Sequence, residues 1–276
     1  MTHPEIPGPI AGQLGARFGE PCAVGRLGGL SGAPVLRLQF PTSSAILKVN
    51  ASTVERHVYQ RLSGLFEAHG VRIPRLLAAG DDGGTPWLLI EDVPEPLPDT
   101  NRLADRQLLG ILRRLHCIAL DPALLPKDLY RPRWDAEMTD AAPSFFPTET
   151  RAELRERLAR HRERVQPLFG EDRLLSGDPN PRNWAVRPSG ELVLFDWERL
   201  TLGSPILDVA ITVPGLGSRA DFERTALAYW GALPAAELTA RVDDLVSAKA
   251  WTVVEFLAEL ARQQGAVPPE LAGLLE

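Results

Sequence analysis

The stretch Ser176-Gly177-Asp178-Pro179-Asn180-Pro181-Arg182-Asn183, followed by Leu194-Phe195-Asp196-Trp197-Glu198, constrains this chain more than any other part of it. Asp178 precedes Asn183 by five residues, and thirteen more lead to Asp196. Two short apolar runs, Trp184-Ala185-Val186 and Leu192-Val193-Leu194-Phe195, flank the turn residues Pro188, Ser189 and Gly190, which reads as an antiparallel hairpin. A hairpin brings its outer ends together, so Asn183, entering the first strand, meets Asp196, leaving the second. Their oxygens suit a hard cation that also needs phosphate oxygens. Asp178, in the loop upstream, is then placed to receive the proton of a hydroxyl in line with a γ-phosphate. Taken alone, Gly-Asp-Pro-Asn-Pro is explained as well by a turn whose Asp and Asn bond the local backbone.

Further upstream, Arg26 to Leu38 reads as strand, glycine-rich turn, strand. Gly28, Gly29, Ser31 and Gly32 let a backbone approach phosphates with no Cβ in the way, although an ordinary hairpin carries the same pattern. Ala45-Ile46-Leu47-Lys48-Val49 is an apolar strand interrupted by one lysine. Most strand lysines reach for solvent; the place of Lys48 after the glycine turn suggests phosphates instead. From Ser52 to Leu65 the pattern is helical, with Val54, Val58, Leu62 and Leu65 on one stripe. Ser52 is the candidate N-cap, and Glu55 serves either as its capping-box partner or as the partner of Lys48.

Together these pieces have the spacing of the kinase catalytic loop D-x-x-x-x-N and of the metal-binding Asp after it. With Gly before the first Asp and Asp-Trp-Glu at the second, the chain resembles the aminoglycoside phosphotransferase and choline kinase superfamily over residues 24 to 212. The resemblance implies an α+β, two-lobe protein-kinase-like fold, with a small antiparallel-sheet N-lobe carrying one main helix and a larger, mostly helical C-lobe. The lobes are expected at 1–92 and 93–276, with a hinge at 93–100. It implies ATP and Mg²⁺ as cofactors, Asp178 as catalytic base, and Asn183 and Asp196 as metal ligands. Lys48 would meet the α- and β-phosphates, and Glu55 would position Lys48. The hinge would read adenine through the carbonyl of Glu91 and the N–H of Val93, with Ile90 lining the pocket. His116 resembles a buried structural histidine of the family, and Asp208 an aspartate that braces the catalytic segment. The chain departs from the family at Ser176, where His is usual, and at Asn180, where His or Lys is usual.

The remaining sequence fits a soluble enzyme. Of 276 residues, 44% are apolar, enough for an ordinary core. A net charge of −6 argues against a nucleic-acid surface, which would need a basic face. Cys22 and Cys117 have no C-x-x-C spacing, so neither a zinc site nor a disulfide framework is expected. With no leader pattern and no apolar run near 18 residues, the reading is a cytoplasmic protein without membrane partners, monomeric or weakly dimeric. Ala104 to Leu120 forms a strong amphipathic helix, with Leu108, Ile111, Leu112, Leu115 and Ala119 on one face. The arginines between Thr148 and Leu168 read as a solvated helix face.

The expected acceptor is a small hydroxyl compound, cationic in the manner of an amino sugar or choline. Acids including Glu255 would line an acidic pocket, and Trp134, Trp230 and Trp251 would build an aromatic cage. For any one of these residues, a solvated acid or a core tryptophan is the commoner reading. Two other classes stand beside a small-molecule kinase. A protein kinase would carry an Ala-Pro-Glu signature, which is missing; a non-catalytic nucleotide-binding relative would tolerate the changes at Ser176 and Asn180.

Overall fold

The computed structural model describes residues 5–28, 34–98 and 103–262. The N-terminal part is a five-stranded antiparallel sheet built from β1 (Ala23–Leu27), β2 (Val35–Gln39), β3 (Ser44–Val49), β4 (Leu76–Asp82) and β5 (Thr85–Glu91), in the order β1-β2-β3-β5-β4. Alternation along each strand gives the sheet two apolar faces. Leu36, Leu38, Leu47, Trp87 and Leu89 point outward under α1 (Gly8–Phe18), whose Ile10 and Leu14 are fully buried. Ile90 and Leu88 point inward to the main core, the face that also carries Lys48, in register with Leu88. The two-residue turn Gly83-Gly84 joins β4 to β5 with φ of +57° and +92°, the left-handed pair that a tight hairpin requires. Helix α1 has no counterpart in the sequence reading: Gly8, Gly12 and Gly15 depress helix propensity, and Ile10 and Leu14 make too short a stripe to announce it.

The main helix of this part begins with α2 (Thr53–His57), passes through a π-helical segment, Val58–Leu62, and ends as α3 (Ser63–Ala68). The wider π turn shifts the buried face, so the stripe runs Val54, Val58, Leu62 and Phe66; Leu65, expected on it, is only half-buried.

After β5 the chain crosses to a short strand, β6 (Glu95–Pro96), which pairs with β8 (Trp184–Val186); β8 in turn pairs with β9 (Leu192–Leu194). A helical body surrounds this hairpin: α4 (Arg106–His116), α5 (Ala136–Ala141), α6 (Arg151–Val165), α7 (Pro205–Ile211), α8 (Arg219–Trp230) and α9 (Ala235–Arg262). Strands β7 (Arg173–Leu175) and β10 (Thr201–Gly203) pair between them. Helix α4 starts at the cap Asp105 and buries Leu108, Ile111, Leu112 and Leu115, but it ends at His116, leaving Ala119 exposed beyond it. The arginines of α6 reach neighbouring elements, Arg155 to Asp140 and Arg164 to Asp244. One core of buried residues runs from Ala51 to Ala258, and within it the rings of Phe66 and Trp197 lie 4.9 Å apart. Cys22 and Cys117 are exposed and unbridged. Among the described residues no helix is long and apolar enough to cross a membrane.

Candidate active site

The loop 176–183 leaves β7 and is fixed from beneath. Asp208, fully buried on α7, accepts the Ser176 N–H at 2.8 Å and the Gly177 N–H at 3.0 Å. His116 stands behind it: its Nε2 lies 3.1 Å from Asp208 Oδ2, and its Nδ1 lies 2.7 Å from the Tyr229 hydroxyl. The buried histidine and the bracing aspartate thus occupy the places read from the sequence. At Ser176 the loop is held through its backbone N–H, while the Ser176 hydroxyl is buried with no partner among the described residues. Gly177 has φ +81°, and a Cβ there would lie 1.9 Å from the Arg199 carbonyl oxygen. Only glycine fits that approach.

Asp178 follows directly. The Asn183 amide donates to its carbonyl at 2.9 Å and to its Oδ2 at 3.1 Å, which orients the carboxylate. Burial pushes the Asp178 carboxyl above its ordinary range, with Asp196 acting in the same direction and Arg199 and Asn183 in the opposite one. Asn180 accepts the Arg182 N–H at 3.0 Å, so its side chain caps the turn Pro181–Asn183.

The hairpin folds as its sequence predicts. Trp184 pairs with Leu194, and Phe195 donates to the Asn183 carbonyl at 3.0 Å, bringing Asn183 and Asp196 to one end. Asp196 holds φ +66°, a conformation that costs an L-residue energy and that clusters at functional sites. The next residue, Trp197, is fully buried and donates from Nε1 to the Leu194 carbonyl, while Asp196 and Glu198 on either side of it are half-buried.

Across from the hairpin, Lys48 Nζ lies 2.7 Å from Glu55 Oε1 and 3.3 Å from Asp196 Oδ1. Burial opposes the charge on Lys48, but Glu55 and Asp196 outweigh it and hold the ammonium above its ordinary pKa. Complete burial pushes Glu55 up to about 7 against the pull of Lys48. Ser52 caps the helix through the Glu55 N–H at 3.0 Å, so the Glu55 carboxylate is left for the lysine and not for the cap.

Glu55, Asp196 and Glu198 present carboxylate oxygens within 4.8 Å of one another. Glu55 Oε2 is buried with no partner among the described residues. With Asn183 at the same end of the hairpin, this all-oxygen donor set fits a hard divalent cation. Glu198 was not singled out from the sequence; its signal was its place two residues after Asp196, which puts both side chains on one side of Trp197.

Of the other expected site residues, Gly28 is exposed at the end of β1, while Gly29, Ser31 and Gly32 lie outside the described residues. Ile90, on β5, is buried on the inner face of the sheet. The Glu91 side chain is clamped by Arg187, at 2.7 and 3.1 Å, and by the Arg75 N–H. Burial disfavours its charge, yet Arg187 and Arg75 hold the carboxyl below its usual range. Val93 is half-buried between β5 and β6.

The aromatic cage is corrected. Trp134 and Trp251 are both only 2% exposed, with their N–H groups spent on Thr139 and on the Arg133 carbonyl. They are core, because large apolar rings gain more from burial than from solvent contact. Glu255 is paired with Arg199 and bonded by the Tyr130 hydroxyl, so its charge is neutralised. Sequence reasoning missed Arg199, whose guanidinium lies 4.3 Å from the Tyr130 ring centroid. It also missed Lys249, on α9, which donates to the Val213 carbonyl at 2.6 Å. Burial pushes Lys249 down to about 8, with Asp178 pulling the other way.

Residues 26–273 match the sequence profile described as "Phosphotransferase enzyme family". Among solved structures, spectinomycin phosphotransferase in complex with ADP and spectinomycin aligns with a TM-score of 0.69 at 12% identity, over 95% of this chain and 88% of that one. Choline kinase from Streptococcus pneumoniae aligns at 0.60 and 16%, over 95% and 92%. A choline/ethanolamine kinase family protein from Mesorhizobium loti aligns at 0.63 and 19%, over 96% and 89%. A search of the curated proteins finds no match. At these identities the structural likeness establishes the fold, and the two-part architecture described above is that fold.

Proposed function

This chain belongs to the phosphotransferase enzyme family, and we propose that it moves the γ-phosphoryl group of ATP to a hydroxyl of a small molecule. The observation that carries this reading is the convergence of Lys48, Glu55 and Asp196 from two separate parts of the fold, beside an Asp178 oriented by Asn183. In this reading residues 1–92 and 93–276 are the two lobes, joined at 93–100. The spectinomycin phosphotransferase solved with ADP supports a nucleotide between them.

Mg²⁺, held by Asp196 and Asn183 with Glu198 beside them, would neutralise phosphate charge. Lys48 takes the α/β-phosphates while Glu55 fixes its direction. Ile90 and the backbone of Glu91 and Val93 form the adenine edge. Asp178 receives the hydroxyl proton as the acceptor oxygen bonds to the γ-phosphorus; the bridging bond to ADP breaks and ADP leaves. Such a reaction depends mostly on positioning and charge, which this small set supplies. The backbone brace from Asp208 supports an intact loop despite Ser176, which favours an active enzyme over a non-catalytic relative. Incubating the protein with γ-labelled ATP, Mg²⁺ and a panel of small alcohols tests the reading. A labelled organic product is expected; none, with nucleotide bound, would reject it.

A further inference from the structure

Three helices meet behind the loop that carries Asp178, and each gives one polar side chain: Asp208 from α7, His116 from the end of α4 and Tyr229 from the last turn of α8. All three are buried. A carboxylate only accepts, so Asp208 needs a hydrogen on every group that faces it. Its Oδ2 takes the Ser176 N–H at 2.8 Å and lies 3.1 Å from His116 Nε2, while its Oδ1 takes the Gly177 N–H at 3.0 Å. Nε2 must therefore carry a hydrogen; a lone pair there would repel the same oxygen that holds Ser176. On the far side of the imidazole, Nδ1 lies 2.7 Å from the Tyr229 hydroxyl, with the two ring centroids 5.8 Å apart. Burial pushes the phenol up, with Asp208 acting in the same direction, so the proton stays on the Tyr229 oxygen. The acceptor for that O–H among the described residues is Nδ1. A ring nitrogen that accepts carries no hydrogen, so Tyr229 confines the imidazole hydrogen to Nε2.

We propose, building on the phosphotransfer reading above, that Tyr229 is a positioning residue for Asp178, acting through His116 and Asp208. By donating to Nδ1 it holds the Nε2–H tautomer, which keeps Asp208 turned to the Ser176 and Gly177 N–H groups. Those two N–H groups fix the residues that lead directly into Asp178. Donation runs one way, from Tyr229 to His116 and from His116 to Asp208, while the loop meets the carboxylate from the other side. Without the hydroxyl, Nδ1 is a buried nitrogen with no donor. The imidazole hydrogen is then free to move to that side, where Nε2 would turn a lone pair on Asp208 and loosen its hold on the loop.

The test removes only the hydroxyl. In the full chain, ¹⁵N spectra of the histidine rings are expected to show His116 with Nε2 protonated and Nδ1 bare, its signals assigned as those lost in His116→Gln. Tyr229→Phe is expected to shift that signature and to speed hydrogen exchange at the Ser176 and Gly177 amides by about 3- to 10-fold, the worth of one hydrogen bond. The amides of β3 and β9 should exchange as before, and turnover should fall with KM for ATP unchanged. In His116→Gln the side-chain amide stands where Nε2 was and needs no tautomer, so adding Tyr229→Phe there should leave the loop amides as they were. An imidazolium or an Nδ1–H ring in the wild type would overturn the inference. So would loop exchange that Tyr229→Phe leaves unchanged or raises no more than elsewhere, or additive effects of the two substitutions. Because ring spectra and exchange are read without turnover, this failure is distinct from that of phosphotransfer, which the absence of any labelled product would reveal.

Discussion

Replacing Gly177 with alanine should disable the catalytic loop far more than it weakens nucleotide binding. The added Cβ would sit 1.9 Å from the Arg199 carbonyl oxygen, whereas ordinary contact begins at 3.4 Å, so one backbone must retreat by about 1.5 Å. Neither side retreats cheaply. The Gly177 N–H is tied to Asp208, and Arg199 is anchored through its side chain to Tyr130 and Glu255. The left-handed φ of +81° adds about 1–2 kcal/mol of strain for a residue with a Cβ. The displaced segment includes Asp178, and a misplacement of about 1 Å costs on the order of 10²-fold in rate. Gly177→Ala should therefore lose turnover by about 10²-fold or more, with a lower melting temperature. Its affinity for ATP should fall far less than its turnover, since Lys48 and Glu55 lie on other segments. Turnover with the acceptor that the alcohol panel yields, a thermal melt and a nucleotide titration measure all three. Wild-type turnover in a folded variant would refute the close approach as the reason for glycine here.

Asp208→Asn puts an amide donor where two N–H groups and a histidine now find a carboxylate, which should cost about 1–3 kcal/mol and lower the melting temperature by several degrees; an unchanged melt would contradict the brace. Asp196→Ala should abolish Mg²⁺-dependent ATP binding with native circular dichroism, because the side chain is partly exposed and meets other acids; normal binding by the folded variant would remove it from the metal site. Glu198→Gln should raise the Mg²⁺ concentration needed for half-maximal ATP binding, and an unaltered requirement would place Glu198 outside that site.

Where sequence reading succeeded, the information was local. The hairpin that joins Asn183 to Asp196 was announced by two apolar runs around a Pro-Ser-Gly turn, and the helix after Lys48 by its cap and stripe. The π segment, Val58–Leu62, could not be anticipated, since no local pattern distinguishes a wider turn from an ordinary one, and it exchanged Leu65 for Phe66 at the core. Helix α1 escaped because its glycines hide a helix that is stabilised by the sheet beneath it. Trp134 and Trp251 misled for the opposite reason: an indole carries the same letter in a core and in a cage, and only burial tells them apart. Arg199 and Lys249 are isolated cations in sequence, and their contacts, with Tyr130 and Glu255 and with the Val213 carbonyl, arise entirely from tertiary packing.

The central claim is that Asp178 takes the proton of an acceptor hydroxyl in a phosphoryl transfer from ATP. The direct measurement is the rate at which wild type and Asp178→Asn pass label from γ-labelled ATP to that acceptor, with ATP affinity determined on the same preparations. The variant is expected to bind ATP nearly as well and to turn over roughly 10² to 10⁴ times more slowly, the range for loss of a positioned acid/base. Undiminished transfer by Asp178→Asn would contradict it.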